Sequence, residues 1–600
     1  MRWHQLKVFS QSRWFHPLLL LLWVAVGTGL RLTHLALKSP WTDEFATLVF
    51  SLGHSFQTVP LDQPIALDTL LQPLQPTSAG AKAVIHHLLS EDNHPPLYFV
   101  LAHWWMQLFP LENGFVPLWA ARSLPALFGA ASIPLMFGLG WLTFRSRLVG
   151  HLAAAMMAVS PYGVYLAQES RHYTLGILWV IASLACLMVV IRSIRQRSPF
   201  PFWVGLLWVV INSLGFATHF FFALTLSAEA LVVMGLGWQQ FRREKTNPFL
   251  QPYGWRIGAV AMGTLGGILV WLPILLNIPS NETTQWIQTH SVGWLTVINP
   301  IAQMLASWIT MLVLLPIESP DLTVVTLSGL VMLAFLLWAL PILWRGFKRL
   351  WEQSESHLPT QVLSGFVVGA IALFFLIAYG LGSDITRGAR YNFVYFPAVI
   401  ALLGAILAAA WSGLVPIPKP KRLSFSGGPA SPQNRRWPWL RPLTINGKQA
   451  VVVILLMGLL SGLTVVNNLG YQKYYRPDLL LPIIQARSDS PVLIATTHET
   501  LVQTGEMMGV AWEFKHHLNA AEENSDKPPK FLLAHRNRNP QAATMALQNT
   551  LAQLPRPLDL WLLNFHAPVE SATNRCVVDS RSQPAVDGYE YQHYHCPARN

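Results

Sequence analysis

Charge is scarce in this chain. Asp, Glu, Lys and Arg make up 12% of its 600 residues, against about 25% in a soluble globular protein. With 52% hydrophobic residues, that scarcity excludes a soluble globular class and points to a polytopic membrane protein. Acids are rarer than bases, 29 against 41. In a soluble protein the net charge of +12 would suggest nucleic acid. Here no nucleic-acid partner is expected, and the position of each base matters instead, because Lys and Arg set membrane orientation. Cysteine is nearly absent, with only Cys186, Cys576 and Cys596. No internal repeat stands out. No histidine spacing marks a metal site either: His86, His87, His94 and His103 match no ligand signature. The first helix is expected to be uncleaved rather than a signal peptide. The first apolar run, Leu18–Leu37, has no small-residue cleavage site and its ~20 residues span ~30 Å of hydrocarbon.

What is abundant is tryptophan, 25 residues, which suits belts at the headgroup level. Apolar runs recur at Leu18–Leu37, Leu118–Phe144, Leu148–Leu166, Leu175–Ile194, Pro201–Ala217, Phe220–Gly237, Ile257–Ile278, Leu322–Leu343, Val362–Leu381, Phe393–Ala410 and Ala450–Leu469. Two further segments, Pro95–Phe109 and Pro300–Pro316, are short for a span. If both lie in the interface, the cytosolic side carries the leader bases Arg2, Lys7 and Arg13. It also carries Arg145/Arg147, Arg192/Arg195/Arg197, Arg242/Arg243/Lys245/Arg256, Arg345/Lys348/Arg349 and the bases between Lys419 and Lys448. The opposite side before residue 470 carries only Arg31, Lys38, Lys82, Arg122, Arg171, Arg387 and Arg390. Thirteen spans would turn three of the basic clusters outward, so eleven spans plus two interfacial helices fit the positive-inside rule better. Either count leaves the C-terminus outside.

The expected architecture is an all-α polytopic membrane module over 1–469 and a small extracytoplasmic α/β domain over 470–600. The first outside loop is 38–117. The Pro-, Gly-, Ser- and base-rich stretch within 412–449 reads as a disordered cytosolic connector against anionic headgroups. In the tail, "RPDLLLPIIQARS", "ETLVQTGEMMGVAWEF" and "PQAATMALQNTLAQL" read as helices, and "PVLIATT", "KFLLAHR" and "LDLWLLNF" as strands. Such alternation argues a largely parallel sheet. Cys576 and Cys596 fall in this tail, where an oxidising setting permits a disulfide, though two free thiols are also compatible.

Under this topology the polar features collect on the outer face. Asp43 and Glu44 open the first loop in "KSPWTDEFATLVF", and His94 lies near its end in "EDNHPPLYF". Glu169, Arg171 and Tyr173 follow in "SPYGVYLAQESRHY", His219 in "ATHFF", and Arg390 and Tyr391 in "GSDITRGARYN". Taken singly, each has a plainer reading. Asp43 and Glu44 suit a helix start, His94-Pro95-Pro96 suits a first helical turn, and interfacial arginines anchor headgroups. Taken together, a carboxylate with Arg and Tyr beside lipid is what transfer from a lipid-phosphate donor requires. The carboxylate takes the proton of an attacking hydroxyl, Arg holds the leaving phosphate, and a membrane groove holds an isoprenoid tail.

These residues carry a resemblance. "WTDEFAT", "NHPPLYFVLAHWWMQLF", "AARSLPALFGAASIPL" and "SPYGVYLAQESRHYTL" resemble, in this order, the bacterial glycosyltransferase family 39-like membrane transferases. These are relatives of the protein O-mannosyltransferases and the lipid A aminoarabinose transferase. The resemblance implies a GT-C fold and inverting transfer of a sugar from a polyprenyl-phosphate donor to a lipid, glycan or protein hydroxyl. It implies Asp43 as base, with Glu44 and Glu169 as the further catalytic acids. Arg390, Tyr391, Arg171 and Arg122 would be donor-phosphate contacts, and His94, Tyr173 and His219 would line the acceptor side or pocket. No cofactor is named, and a divalent metal is left open. Partners would be the lipid-linked donor, the acceptor and membrane lipids at the plasma (inner) membrane. The chain lacks the repeated outside domain that eukaryotic protein mannosyltransferases insert, which weighs against a protein acceptor. A transporter or flippase would instead place ionisable residues near mid-membrane in two similar halves. A non-catalytic assembly subunit would concentrate function in the tail.

Overall fold

The computed structural model describes residues 13–92, 94–245, 251–276, 287–288, 293–413, 446–517, 528–536, 541–573, 575–581 and 583–598. The connector expected within 412–449 lies almost wholly outside these residues, as do Arg2 and Lys7 of the leader. Each of the eleven apolar runs is mainly helical over its described residues, Leu148–Leu166 as two helices. Among the described residues, seven helices are long and apolar enough to cross a membrane. Arg147–Val159 and Pro161–Ala167, bent by 57°, count as an eighth if taken as one span. Phe202–Thr218, Gly254–Leu269 and Phe396–Trp411 are shorter apolar helices.

The first helix runs Phe15–Leu32 and stops before its apolar run does. The chain turns extended at Thr33, and His34 takes a positive φ of 52°. The bend after Val159 follows from Pro161, which opens a new helix with no N–H to give to the old one. Two carbonyls left near that helix end find Arg31, whose Nη1 donates to Ala158 O at 3.1 Å and Nη2 to Met157 O at 2.8 Å.

A second polar tie lies inside the bundle. Ser183 Oγ sits 2.9 Å from Glu229 Oε2 and 3.0 Å from Asn212 Oδ1, and accepts from Trp208 Nε1 at 2.8 Å. Asn212 reaches Thr264 at 3.2 Å. Four helices are thereby joined, at ~0.6–2 kcal/mol per interhelical bond. The buried Glu229, inside the apolar run Phe220–Gly237, was not singled out from the sequence. Ser183 satisfies its Oε2, while Oε1 is buried without a partner.

The two segments read as interfacial form the apolar helices Leu97–Met106, of 10 residues, and Trp294–Leu312, of 19. His103 Nδ1 lies 2.8 Å from Ser51 O, and Trp105 donates to Ala120 O at 3.2 Å. In the second helix Gln303 meets Thr386 and Met311 O accepts from Ser160.

The tail folds as its pattern suggests and then exceeds it. The three expected strands, Val492–His498 (β2), Lys530–His535 (β3) and Leu558–Leu563 (β4), pair in parallel in the order β3-β2-β4. Three strands were not foreseen. Val577–Val578 (β5) and Tyr591–Cys596 (β6) pair antiparallel on the β4 side. Ile65–Ala66 (β1) comes from the first outer loop and pairs antiparallel with β3. Cys576 and Cys596 form a disulfide, and Cys186 is a buried free thiol.

The outer loop and the tail therefore share a sheet. They also share one apolar core, in which Phe45, Leu70 and Phe99 bury with Met508, Phe531 and Trp561. Asp62 adds backbone and side-chain bonds to β3, His535 N–H donating to Asp62 Oδ1 at 2.7 Å. Loop 38–117 and residues 470–600 thus form one body, where the sequence suggested a membrane-module loop and a separate domain. The reason is that the short helices of the loop are too small to bury their own apolar faces.

Candidate active site

Asp43 and Glu44 lie in the first turn of the helix Thr42–Ser51, where the helix dipole favours anions. Successive helical residues point about 100° apart, and the two acids part company. Glu44 turns inward and is 1% exposed. Arg122 meets it bidentately, Nε to Oε1 at 2.8 Å and Nη2 to Oε2 at 2.7 Å. Arg122 Nη1 donates to the carbonyls of Leu35 and Lys38, and Ser170 N–H donates to Glu44 Oε1 at 2.7 Å. One buried pair thus ties the exit of the first helix, the Asp43 helix and the Glu169 loop. Arg122, also 1% exposed, is placed away from any solvent-reachable phosphate.

Asp43 turns outward, its side chain 29% exposed. Its Oδ2 lies 3.4 Å from Arg390 Nη2 and 3.6 Å from Arg171 Nη2. Arg171 is fixed by Nη1 donating to Asp43 O and Thr47 Oγ1, both at 2.8 Å. Arg390 stacks over Trp41 and Tyr391, 4.9 and 5.0 Å from the ring centroids. Tyr173 lies under Arg171 at 5.7 Å. Phe45, next to Glu44, is fully buried against Trp512, because the tail covers that face of the helix.

Glu169 is buried and ion-paired with Lys473. Lys473 also bonds Tyr165 OH at 3.2 Å and lies 4.1 Å over Trp41, so Trp41 is flanked by two cations. Lys473 escaped the sequence reading. Its one signal was a cation among tyrosines, "YQKYY", just beyond the last apolar run.

The histidines regroup. His94 joins His172 and His219, with one ring nitrogen of each within 4.8 Å of the others; His86, His87 and His103 take no part. The spacing suits a divalent cation, but hydrogen bonds occupy two of the three lone pairs. His94 Nδ1 meets Asp92 Oδ1 at 3.0 Å, leaving Nε2 to accept from Arg171 at 3.2 Å. His219 Nδ1 accepts from Phe221 N–H at 3.0 Å, so its Nε2 carries the proton. Only His172 has both ring nitrogens buried without a partner. Burial, with His219 and Arg171 nearby, holds His172 well below the ordinary imidazole range; burial and His94 do the same for His219. His172 and His219 thus present a neutral face, and His219 offers an unused N–H.

Two cavities flank this centre. One, of about 780 Å³, is apolar and lined by Leu32, Leu35, Leu37, Trp105, Phe109 and Leu127. The other, of about 310 Å³, opens in the C-terminal sheet and includes Tyr474, Tyr475 and Glu506. Asp43 lines neither.

The structure thus brings Asp43, Arg171, Arg390, Tyr391, Tyr173, His94 and His219 together, with Glu169 behind them through Lys473. It sets Glu44 and Arg122 apart as an internal pair. Compared with known proteins, the chain matches no family model and no curated protein. Among solved structures it is similar to ArnT from Cupriavidus metallidurans bound to undecaprenyl phosphate, with TM-score 0.43 and 12% identity over 97% of this chain and 98% of that one. It is similar to the apo state of the same protein, with TM-score 0.45 and 13% identity over 99% and 98%. It is also similar to the archaeal oligosaccharyltransferase AglB from Archaeoglobus fulgidus in complex with an inhibitory peptide and a dolichol-phosphate. There the TM-score is 0.43 and the identity 10%, over 97% of this chain and 74% of that one. This is a likeness of fold. No residue role is taken from it.

Proposed function

We propose that the chain is an inverting glycosyltransferase of the outer membrane face, moving a sugar from a polyprenyl-phosphate donor to an acceptor hydroxyl. The observation that carries this reading is the half-exposed Asp43 carboxylate set between Arg390 and Arg171. The guanidiniums face the carboxylate. A phosphodiester entering between them takes over their N–H groups and leaves the Asp43 oxygens free to accept a proton. The acceptor oxygen then bonds to the anomeric carbon as its proton passes to Asp43. The bond from that carbon to the phosphate oxygen breaks on the opposite face, inverting the centre. The electron pair stays on the polyprenyl phosphate, whose charge Arg390, Arg171 and Lys473 offset. Tyr391 braces Arg390, and His94 braces Arg171. The His219 N–H and Tyr173 are placed to contact a sugar hydroxyl.

Glu169 works through Lys473 in this reading, and Glu44 and Arg122 hold the Asp43 helix rather than touch substrate. The apolar cavity under Trp105 suits an isoprenoid tail, at ~0.8 kcal/mol per buried CH₂. The basic residues gathered at the far end of the bundle support a cytoplasmic N-terminus and an outer C-terminal body in an inner membrane.

The test is Asp43→Asn in proteoliposomes loaded with a polyprenyl-phosphate sugar. Loss of the base is expected to slow transfer by about 10²- to 10⁴-fold, with the melting temperature unchanged. Full activity in that variant would remove Asp43 as base. Mass spectrometry of the co-purifying lipid phosphate names the sugar.

A further inference from the structure

The cavity in the C-terminal body lies where the sheet reverses its winding. From β2 the chain crosses through the helix Leu501–His517 to β3 on one side. From β3 it returns through Gln541–Gln553 to β4 on the other side. The carboxyl ends of β2 and β4 therefore diverge, which opens a crevice where ligands bind in open α/β sheets. Thr497 and Glu499 close β2 and Asn564 closes β4, and all three line the cavity.

The walls are built and held. Asn564, at a positive φ of 47°, receives Glu590 N–H on Oδ1 at 2.9 Å and donates to Gly588 O at 3.0 Å. Thr497 Oγ1 donates to Asn564 O at 3.0 Å. Gly588, at φ 82°, passes so close to Tyr474 O and Tyr475 that a Cβ would meet them at 2.6–2.8 Å. Inside this frame the Tyr589 hydroxyl is buried with no partner, on a residue only 6% exposed. Glu506 is likewise 6% exposed, and burial pushes its carboxyl up to about 7 against hydrogen bonds from Tyr475 and Asn564. Near neutral pH it can therefore donate or accept.

The chemistry of the lining selects its ligand. Glu499, Glu506 and Glu590 line the space and no Lys or Arg does; Glu499 is paired with Arg536 at 2.6 Å, so the acidic lining that disfavours an anion rests on Glu590 and ionised Glu506. Tyr474, Tyr475 and Tyr589 line it with aromatic rings, and the Glu506 carboxyl and the Tyr589 hydroxyl add polar groups. About 310 Å³ is at the small end of ligand sites.

We infer that this crevice is a saccharide-binding site for a neutral or amino-bearing sugar unit, distinct from the Asp43 centre. Tyr474 follows directly on Lys473, so a sugar stacked there sits one or two residues from the cation that pairs Glu169. The inference does not rest on the transfer reaction.

The test uses the full chain in detergent and isothermal titration with glucose, N-acetylglucosamine, glucosamine, glucuronate and glucose 6-phosphate. Saturable binding is expected for one or more of the first three and none for the two anions. Tyr589→Phe, which removes only the buried hydroxyl, and Glu506→Gln are each expected to weaken it by about tenfold or more. Asp43→Asn is expected to bind as wild type. If Glu506→Gln fails to fold, Tyr589→Phe decides alone. No saturable binding by any neutral or amino sugar, preference for the anions, or unchanged binding in Tyr589→Phe would each overturn the inference. Loss of binding in Asp43→Asn would move the sugar to the catalytic centre and overturn it as well.

Discussion

Glu44→Gln keeps the shape of the side chain and removes its charge. Arg122 would be left buried, its counter-ion gone and only the Leu35 and Lys38 carbonyls still in reach of Nη1. Two charge-assisted hydrogen bonds at 2.7 and 2.8 Å are weakened, each worth about 1.5–3 kcal/mol. Breaking one side of a fully buried pair costs about 3–5 kcal/mol in general, so the two routes agree. Arg122→Met should cost a similar amount, because Glu44 then keeps only the Ser170 N–H. In the double variant no uncompensated charge remains. Its cost should fall below the sum of the singles, with a coupling of about 2–3 kcal/mol. The four proteins are unfolded by denaturant in the same mixed micelles, and their midpoints are compared. Transfer per folded molecule is measured alongside. It should recover in the double variant, because Asp43 and not Glu44 meets the substrate. Single-variant costs below about 1 kcal/mol, as for a surface pair, or a strictly additive double variant, would refute the structural role. A stable double variant with no activity would return Glu44 to the reacting groups.

Lys473→Met should raise KM for the lipid-phosphate donor more than it lowers kcat and leave Glu169 unpaired in a buried site, with Lys473→Arg restoring most of the loss; unchanged donor kinetics would detach the lysine from phosphate. Metal content by inductively coupled plasma mass spectrometry should be the same in wild type and His172→Ala after zinc loading, because hydrogen bonds already occupy the lone pairs of His94 and His219. One equivalent lost in the variant would show the trio to be a metal site. In the C-terminal sheet, burial works against a charge on His593, but hydrogen bonds to Asp559 and Asp579 outweigh it and raise its pKa. A raised folded value means the contribution is fully present below the unfolded value of about 6.5 and is lost as pH rises through the folded one. Hydrogen exchange in β6, corrected for intrinsic rate, should therefore accelerate above neutrality in wild type and lose that dependence in His593→Gln. The same slope in both would exclude His593.

The apolar runs made the helices legible because lipid imposes one simple rule, a backbone satisfied within its own segment. The strands β2, β3 and β4 were legible as short apolar blocks between helical ones. β1 was not, since two residues carry no period, and β6, "YQHYHC", hides its burial in polar rings. At the site, loops on one face could be inferred to meet, and Asp43, Arg171 and Arg390 do. The split between Asp43 and Glu44 was not readable, because adjacent acids look alike until the partner of each is known. Arg122 settles which one is interior. Lys473 was hidden by its distance along the chain from every other group at the centre, and Glu229 by the apolar run around it.

β1 also sets a timetable. Asp62 and His535, whose bond anchors the strand, are 473 residues apart in the chain. At 5–20 residues per second, synthesis takes roughly 25–95 s to cover that interval. For that period the first outer loop has emerged with Phe45, Leu70 and Phe99 and no Met508, Phe531 or Trp561 to cover them. A nascent chain of this protein thus holds open an apolar, strand-forming loop through the insertion of every later helix, so a chaperone on that side of the membrane has its longest work at the N-terminal end.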